Sequence, residues 1–282
     1  MGALNTFALA GALVIGATAV ASGADLPPPP MAYPAAPLRG SIDASGVYLR
    51  GDVGMGVMGN VKGTYQNLPA TTSVTYNDGS YGNVGFAGIG IGYQFNNWFR
   101  FDVTGELRGT AKIGFRDTYS DTFGNRGTNS ISGHLNTSVF LANAYVDMGN
   151  WHGFTPFLGA GVGAAYHRVS ALDDIGNSLP AAGGGPFAAV GGFDGKSKTS
   201  LAWALMAGVA YDVTPNVKLE LGYRYLNMGK AESGLACTLT CLPGTSVKIR
   251  DIDSHDIKLG FRWLLGGPDY APPPIPVVVR KG

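Results

Sequence analysis

Ser254, His255 and Asp256 stand side by side and hold the three side-chain types of an acyl-transfer triad. Their spacing defeats that chemistry. Neighbours on a strand point to opposite faces, so His255 looks away from both Ser254 and Asp256. His167 and Ser170, three apart, are separated by the same rule. His134, His167 and His255 are expected at one rim of the molecule, and His152 in a turn at the other. Gly54-Met55-Gly56-Val57-Met58-Gly59 has the spacing of a dinucleotide-binding turn. A helix must follow such a turn, and residues 60–69 are polar and turn-rich instead. Cys237 and Cys241 share one polar segment, and in an exported chain they read as a small-loop disulfide, against free thiols. No catalytic set, cofactor site or metal site is expected.

The chemistry that does emerge is charge placed at every second position. In 217–225, Val217, Leu219, Leu221, Tyr223 and Tyr225 alternate with Lys218, Glu220, Gly222 and Arg224. In 99–108, Phe99, Phe101, Val103 and Leu107 alternate with Arg100, Asp102, Thr104, Glu106 and Arg108. In 255–264, Ile257, Leu259, Phe261 and Trp263 alternate with Asp256, Lys258, Gly260 and Arg262, and the first strand adds Arg50 and Asp52. Period two means strands with one apolar and one polar face. If the apolar face meets lipid, these charges line the inside of a barrel. Mixed signs at similar depths point to a salt-bridge network, because an unpaired buried charge costs several kcal/mol. A modest basic excess remains, and glycines such as Gly90 and Gly161 leave room for arginine side chains or for water.

Eight strands are expected to position these groups: 46–57, 83–95, 98–112, 135–148, 154–170, 197–212, 217–227 and 252–265. Short connections at 96–97, 149–153 and 213–216 alternate with long, polar, glycine-rich ones at 58–82, 113–134, 171–196 and 228–251. That alternation predicts an all-β, eight-stranded antiparallel up-and-down transmembrane β-barrel, with short turns on the periplasmic side and four loops outside. Trp98, Trp151 and Trp263 then fall at periplasmic strand ends and Trp203 near the outer rim, the two levels that interfacial aromatics prefer.

The flanks fit export. Residues 1–23 read as a signal peptide, with an apolar run from Phe7 to Val20 and small-x-small cleavage options ending near Gly23. Met1 to Thr6 carries no Lys or Arg, which suggests a start further upstream. Residues 24–45 form a proline-rich periplasmic leader, 46–265 the barrel, and 266–282 a proline-rich periplasmic tail. A net charge of +1 gives no electrostatic reason to bind nucleic acid.

The chain resembles the OmpA-type and opacity-type eight-stranded barrels of the bacterial outer membrane, particularly the small surface proteins of alphaproteobacteria. The residues that carry this are Ala24-Asp25-Leu26-Pro27, Ser45-Gly46-Val47-Tyr48-Leu49-Arg50-Gly51, Asn143-Ala144-Tyr145-Val146-Asp147 and Lys258-Leu259-Gly260-Phe261-Arg262-Trp263. Such barrels usually end on an aromatic residue, whereas this chain runs on through 266–282. The resemblance implies a non-enzymatic surface protein that supports envelope integrity, with loops available for adhesion or host contact. A small-solute pore and a lipid-modifying enzyme are the alternatives. The expected partners are outer-membrane lipids and lipopolysaccharide, with peptidoglycan or periplasmic proteins at the proline-rich ends.

Overall fold

The computed structural model describes residues 45–68, 72–77, 79–235 and 244–265. The leader, the tail and both cysteines lie outside the described residues. Eight strands close a cylinder: β1 (Gly46–Met58), β5 (Val84–Gln94), β6 (Phe99–Arg108), β8 (Arg126–Asp147), β9 (Phe154–Val169), β12 (Lys196–Asp212), β13 (Val217–Asn227) and β16 (Asp253–Leu264). Each pairs antiparallel with its neighbour in this order, and β16 returns to β1 with Leu259 opposite Val53. Closure leaves no unpaired backbone edge, the condition for a sheet to sit in hydrocarbon.

The three short turns are tight. Asn96 Oδ1 accepts hydrogen bonds from the amides of Trp98 (3.0 Å) and Phe99 (2.7 Å). Thr214 Oγ1 accepts from Val217 (3.0 Å). The turn at 148–153 bends through three positive φ angles, at Gly149, His152 and Gly153, so the one histidine among them pays the steric cost of the left-handed region.

Outward rows are apolar and exposed, including Leu221, Leu259, Ile257, Val103 and Ile89. Trp98 and Trp151 stand in the short turns, and Trp263 lies at the same end of β16, opposite Leu49 and Val217. Trp203 is at the other level, 5.4 Å between ring centroids from Tyr225. Phe95, Phe99 and Phe101 pack together at the lower girdle, as do Phe154 and Tyr211.

The long connections are not loops. They hold β2 (Asn60–Gln66), β3 (Thr72–Tyr76), β4 (Gly79–Tyr81), β7 (Ala111–Asp121), β10 (Leu172–Leu179), β11 (Phe187–Phe193), β14 (Ala231–Leu235) and β15 (Ser246–Arg250), and β8 begins nine residues before the expected start at 135. The expected strand at 98–112 is two strands, separated at Gly109-Thr110. Together these pieces form a wall running β14-β15-β2-β4-β7-β8-β10-β11 above the barrel. Asp194 nearly closes it, exchanging backbone hydrogen bonds with Gly234 (2.6 Å) and Leu235 (3.1 Å). We call this the crown.

In the crown the facing rule inverts. Along β7, Ala111, Ile113 and Phe115 are buried inward while Lys112 and Arg116 face out. Along β8, inward residues change from Ile131 and Leu135 above to Asn143 and Asp147 below. Water surrounds the crown and lipid surrounds the barrel, so the apolar face turns inward at the membrane boundary.

Candidate functional site: a filled interior beneath a crown cavity

Two charge clusters fill the barrel. In the lower one, Arg50 bridges Asp52 (2.8 Å), Asp102 (2.7 Å) and Glu220 (3.3 Å). Glu220 also meets Arg262 (2.9 Å) and Arg100 (3.4 Å), off the N–H axes of both, so these are ion pairs without hydrogen bonds. Arg100 reaches Asp147 (3.2 Å), and Lys258 reaches Asp52 (3.3 Å). The Arg100 guanidinium also stacks on Tyr145, 4.0 Å from the ring centroid. In the upper cluster, Arg108 contacts Glu106 (3.0 Å) and Asp256 (2.8 Å), and Arg224 contacts the same pair at 2.7 and 2.6 Å. Phe86 lies 5.0 Å from both guanidinium carbons.

The expected basic excess does not exist. Asp147 joins the lower cluster, and Lys218 is paired with Asp212 at the periplasmic rim. Arg50, Arg100, Arg108, Lys218, Arg224, Lys258 and Arg262 are thereby matched one for one by Asp52, Asp102, Glu106, Asp147, Asp212, Glu220 and Asp256. Both missing acids were readable: each is the last inward position of its strand. The glycines make room for side chains. A Cβ at Gly92 would collide with the Tyr48 ring, one at Gly159 with Tyr145, and one at Gly56 with Arg108.

The triad residues are held apart. Ser254 donates to Asp256 (2.5 Å) inside the barrel, while His255 faces outward, 2.6 Å from the Tyr223 hydroxyl. His167 departs from its expected place at the rim. It is fully buried between the Thr137 hydroxyl (3.0 Å) and the Met228 carbonyl (2.8 Å).

Above the upper cluster lies an apolar layer of Phe115, Ile131, Leu172, Phe193, Val247 and Ile249. Beyond it, the crown lines a half-open cavity of about 360 Å³. Its lining includes Tyr65, Tyr119, Phe187 and Phe193, with Asn129, Asp174 and Thr245 as polar members. Just below, Asp117 accepts from the Tyr65 hydroxyl (2.9 Å) and the Asn129 amide (3.0 Å). Asp174 Oδ1 and Thr245 Oγ1 are buried without any hydrogen-bond partner. Burial pushes the Asp174 carboxyl up to about 6, and the charge of Asp117 adds to the shift. Burial also raises Asp117, against the lowering effect of its two hydrogen bonds.

A raised acid binds its proton more tightly folded than unfolded. The contribution of Asp174 and Asp117 to the stability of the strands around them is therefore fully present below the ordinary carboxylate range and is lost as pH rises through about 4 to 6. Hydrogen exchange in β10 and β11, corrected for intrinsic rates, should show greater protection at about pH 5 than at about pH 7.5. Asp174→Asn should flatten that difference. Equal protection in the unaltered chain, or greater protection at the higher pH, contradicts this reading of Asp174.

Residues 10–263 match the family model described as outer membrane protein beta-barrel domain. The chain is 30% identical over 194 residues to the outer membrane protein PagN of Salmonella typhimurium, covering 66% of this chain and 75% of that one. It is 28% identical over 218 residues to a candidate adhesin of Rickettsia bellii, covering 77% and 86%. The crystal structure of OprG from Pseudomonas aeruginosa aligns over 80% of this chain and 99% of its own, with 13% identity and a TM-score of 0.42. With the family model spanning nearly the whole described barrel, the chain belongs to the outer membrane protein β-barrel family and is a bacterial outer-membrane protein.

Proposed function

We propose that this protein is a surface attachment barrel: a filled membrane anchor that holds a structured crown outside the cell. The observation that carries this reading is the crown itself. A passive contribution to envelope integrity asks only for the inserted barrel, and the crown's eight short strands add nothing to membrane spanning. Their inward apolar residues join one core with the upper barrel, which supports a fixed surface for contact with a partner. The resemblance to surface proteins and the Rickettsia relative named as a candidate adhesin support the same direction. The matched charge clusters and the apolar layer above them speak against a standing water-filled pore.

The test is adherence of expressing cells to cultured animal-cell monolayers. Replacing residues 174–191, the outer part of the β10–β11 hairpin, by Asn-Gly should leave assembly in the membrane intact and bring adherence down to the level of cells without the protein. The trimmed barrel should stay free of steady conductance in a planar bilayer, because both charge clusters lie below the cut. Equal adherence of trimmed and complete protein sinks the attachment reading.

A further inference from the structure

We propose that the crown cavity is a binding site for an organic cation, an ammonium group on an apolar body, with Asp174 as its counter-ion. The inference stands apart from attachment, since the cavity could be filled whether or not the crown holds cells to a surface.

Three observations carry it. The first is an unanswered acceptor. Asp174 and Thr245 both line the cavity, and Asp174 Oδ1 and Thr245 Oγ1 are buried behind its surface with no hydrogen-bond partner; Thr245 as a whole is 3% exposed. Native structures seldom leave such atoms unpaired without a reason. Asp117, by contrast, is already satisfied by Tyr65 and Asn129 and is not seeking a donor.

The second is the sign of the site. Among the described lining residues there are carboxylates, Asp174 and Asp121, and no Lys, Arg or His. Among the described residues, the two charge clusters inside the barrel are closed by matched pairs. Here the negative charge lacks its cation, which a ligand would supply.

The third is the wall. Tyr65, Tyr119, Phe187 and Phe193 present aromatic surface, which attracts a desolvated cation through the negative face of the ring and shields an apolar body. A volume of about 360 Å³ is at the small end of ligand pockets, suited to an amine with one ring or a short chain.

Two sources could provide this chemistry: a free amine, or a lysine side chain on another protein. The probes are phenethylammonium, its neutral counterpart 2-phenylethanol, and N-acetyl-lysine methylamide, titrated calorimetrically into the refolded full chain in detergent. Phenethylammonium should bind with a dissociation constant below about 1 mM, and at least about tenfold more tightly than the alcohol. The titratable groups around Asp174 are Asp117, Tyr119 and Asp121 on β7 and Tyr65 on β2; β8, β11 and Thr245 offer only neutral lining. Protonation of the acids should therefore weaken ammonium binding at about pH 5 relative to about pH 7.5.

Asp174→Asn should abolish the preference for ammonium over alcohol. Phe187→Ala, at an exposed position of the wall, should weaken both ligands and keep the preference, which serves as the readout if the Asn variant fails to refold. Binding of the lysine amide as tight as that of the free amine assigns the site to a partner's side chain, and binding of the free amine alone assigns it to small solutes. No ammonium binding, or equal affinity for ammonium and alcohol in the unaltered chain, overturns the proposal. Loss of adherence on trimming the crown has no bearing on these affinities, so the two readings fail separately.

Discussion

Glu220→Ala should cost about 3–5 kcal/mol of barrel stability, the range for breaking a buried ion pair by removing one partner. Glu220 is 2% exposed and stands against three arginines, Arg50, Arg100 and Arg262. Removing it leaves Arg262 a distant contact with Asp147 (3.9 Å), the Gln94 side-chain carbonyl (3.0 Å) and the Tyr48 ring, 5.5 Å from its centroid. Arg100 keeps Asp147 and its place over Tyr145, and Arg50 keeps Asp52 and Asp102. The lower cluster would thus hold one excess positive charge among almost fully buried side chains. Reversible urea unfolding of the refolded protein in lipid vesicles measures the loss. Combining Glu220→Ala with Arg262→Leu removes the excess charge and should recover a substantial part of it. A loss below about 1 kcal/mol for the single variant, the scale of a solvated surface pair, would mean that water reaches this cluster.

Leu221→Arg probes the other face of the same strand, one residue away. Leu221 lies in an apolar row between Val209 on β12 and Leu259 on β16, with Leu219 and Tyr223 on either side along β13. An arginine near mid-bilayer on the lipid face should cost about 2–4 kcal/mol. Insertion into vesicles should fall accordingly, while Leu221→Ala, which places no charge in lipid, should insert nearly as well as the unaltered chain. Normal insertion of the arginine variant would sink the outward assignment of this row. Adjacent positions, Glu220 and Leu221, therefore fail for opposite reasons: one removes a charge the interior requires, the other adds one the lipid excludes.

The barrel was legible because its two solvents are so unlike. A strand between lipid and a polar interior must alternate, and the alternation in 217–225 and 255–264 placed Arg224, Lys258 and Arg262 inward at the positions they occupy. The crown was not legible as structure. In β7 the outward face is polar and the inward face apolar as far as Phe115, as in any water-soluble sheet, whereas β10 turns Ile175 outward and Asp174 inward, and with many glycines these segments resemble loop composition. The change of phase within β8 could have exposed it: Ile131, Leu135, Val139, Leu141, Asn143, Tyr145 and Asp147 share one face, and its character changes halfway.

The sequence by itself determined the eight strands of the barrel, the side each turns to lipid, the short and long ends and most of the residues that are charged inside. All of these follow from local periodicity and turn chemistry. Only the tertiary structure decided which charge meets which, since Arg50 and Glu220, or Arg108 and Asp256, are far apart along the chain and are joined by barrel closure and strand register. It also decided that four separate polar segments build one wall around a cavity, because the pairings of β15 with β2 and of β10 with β8 bring together residues from different connections. Local pattern fixes which way a side chain points; register between distant strands fixes what it finds there.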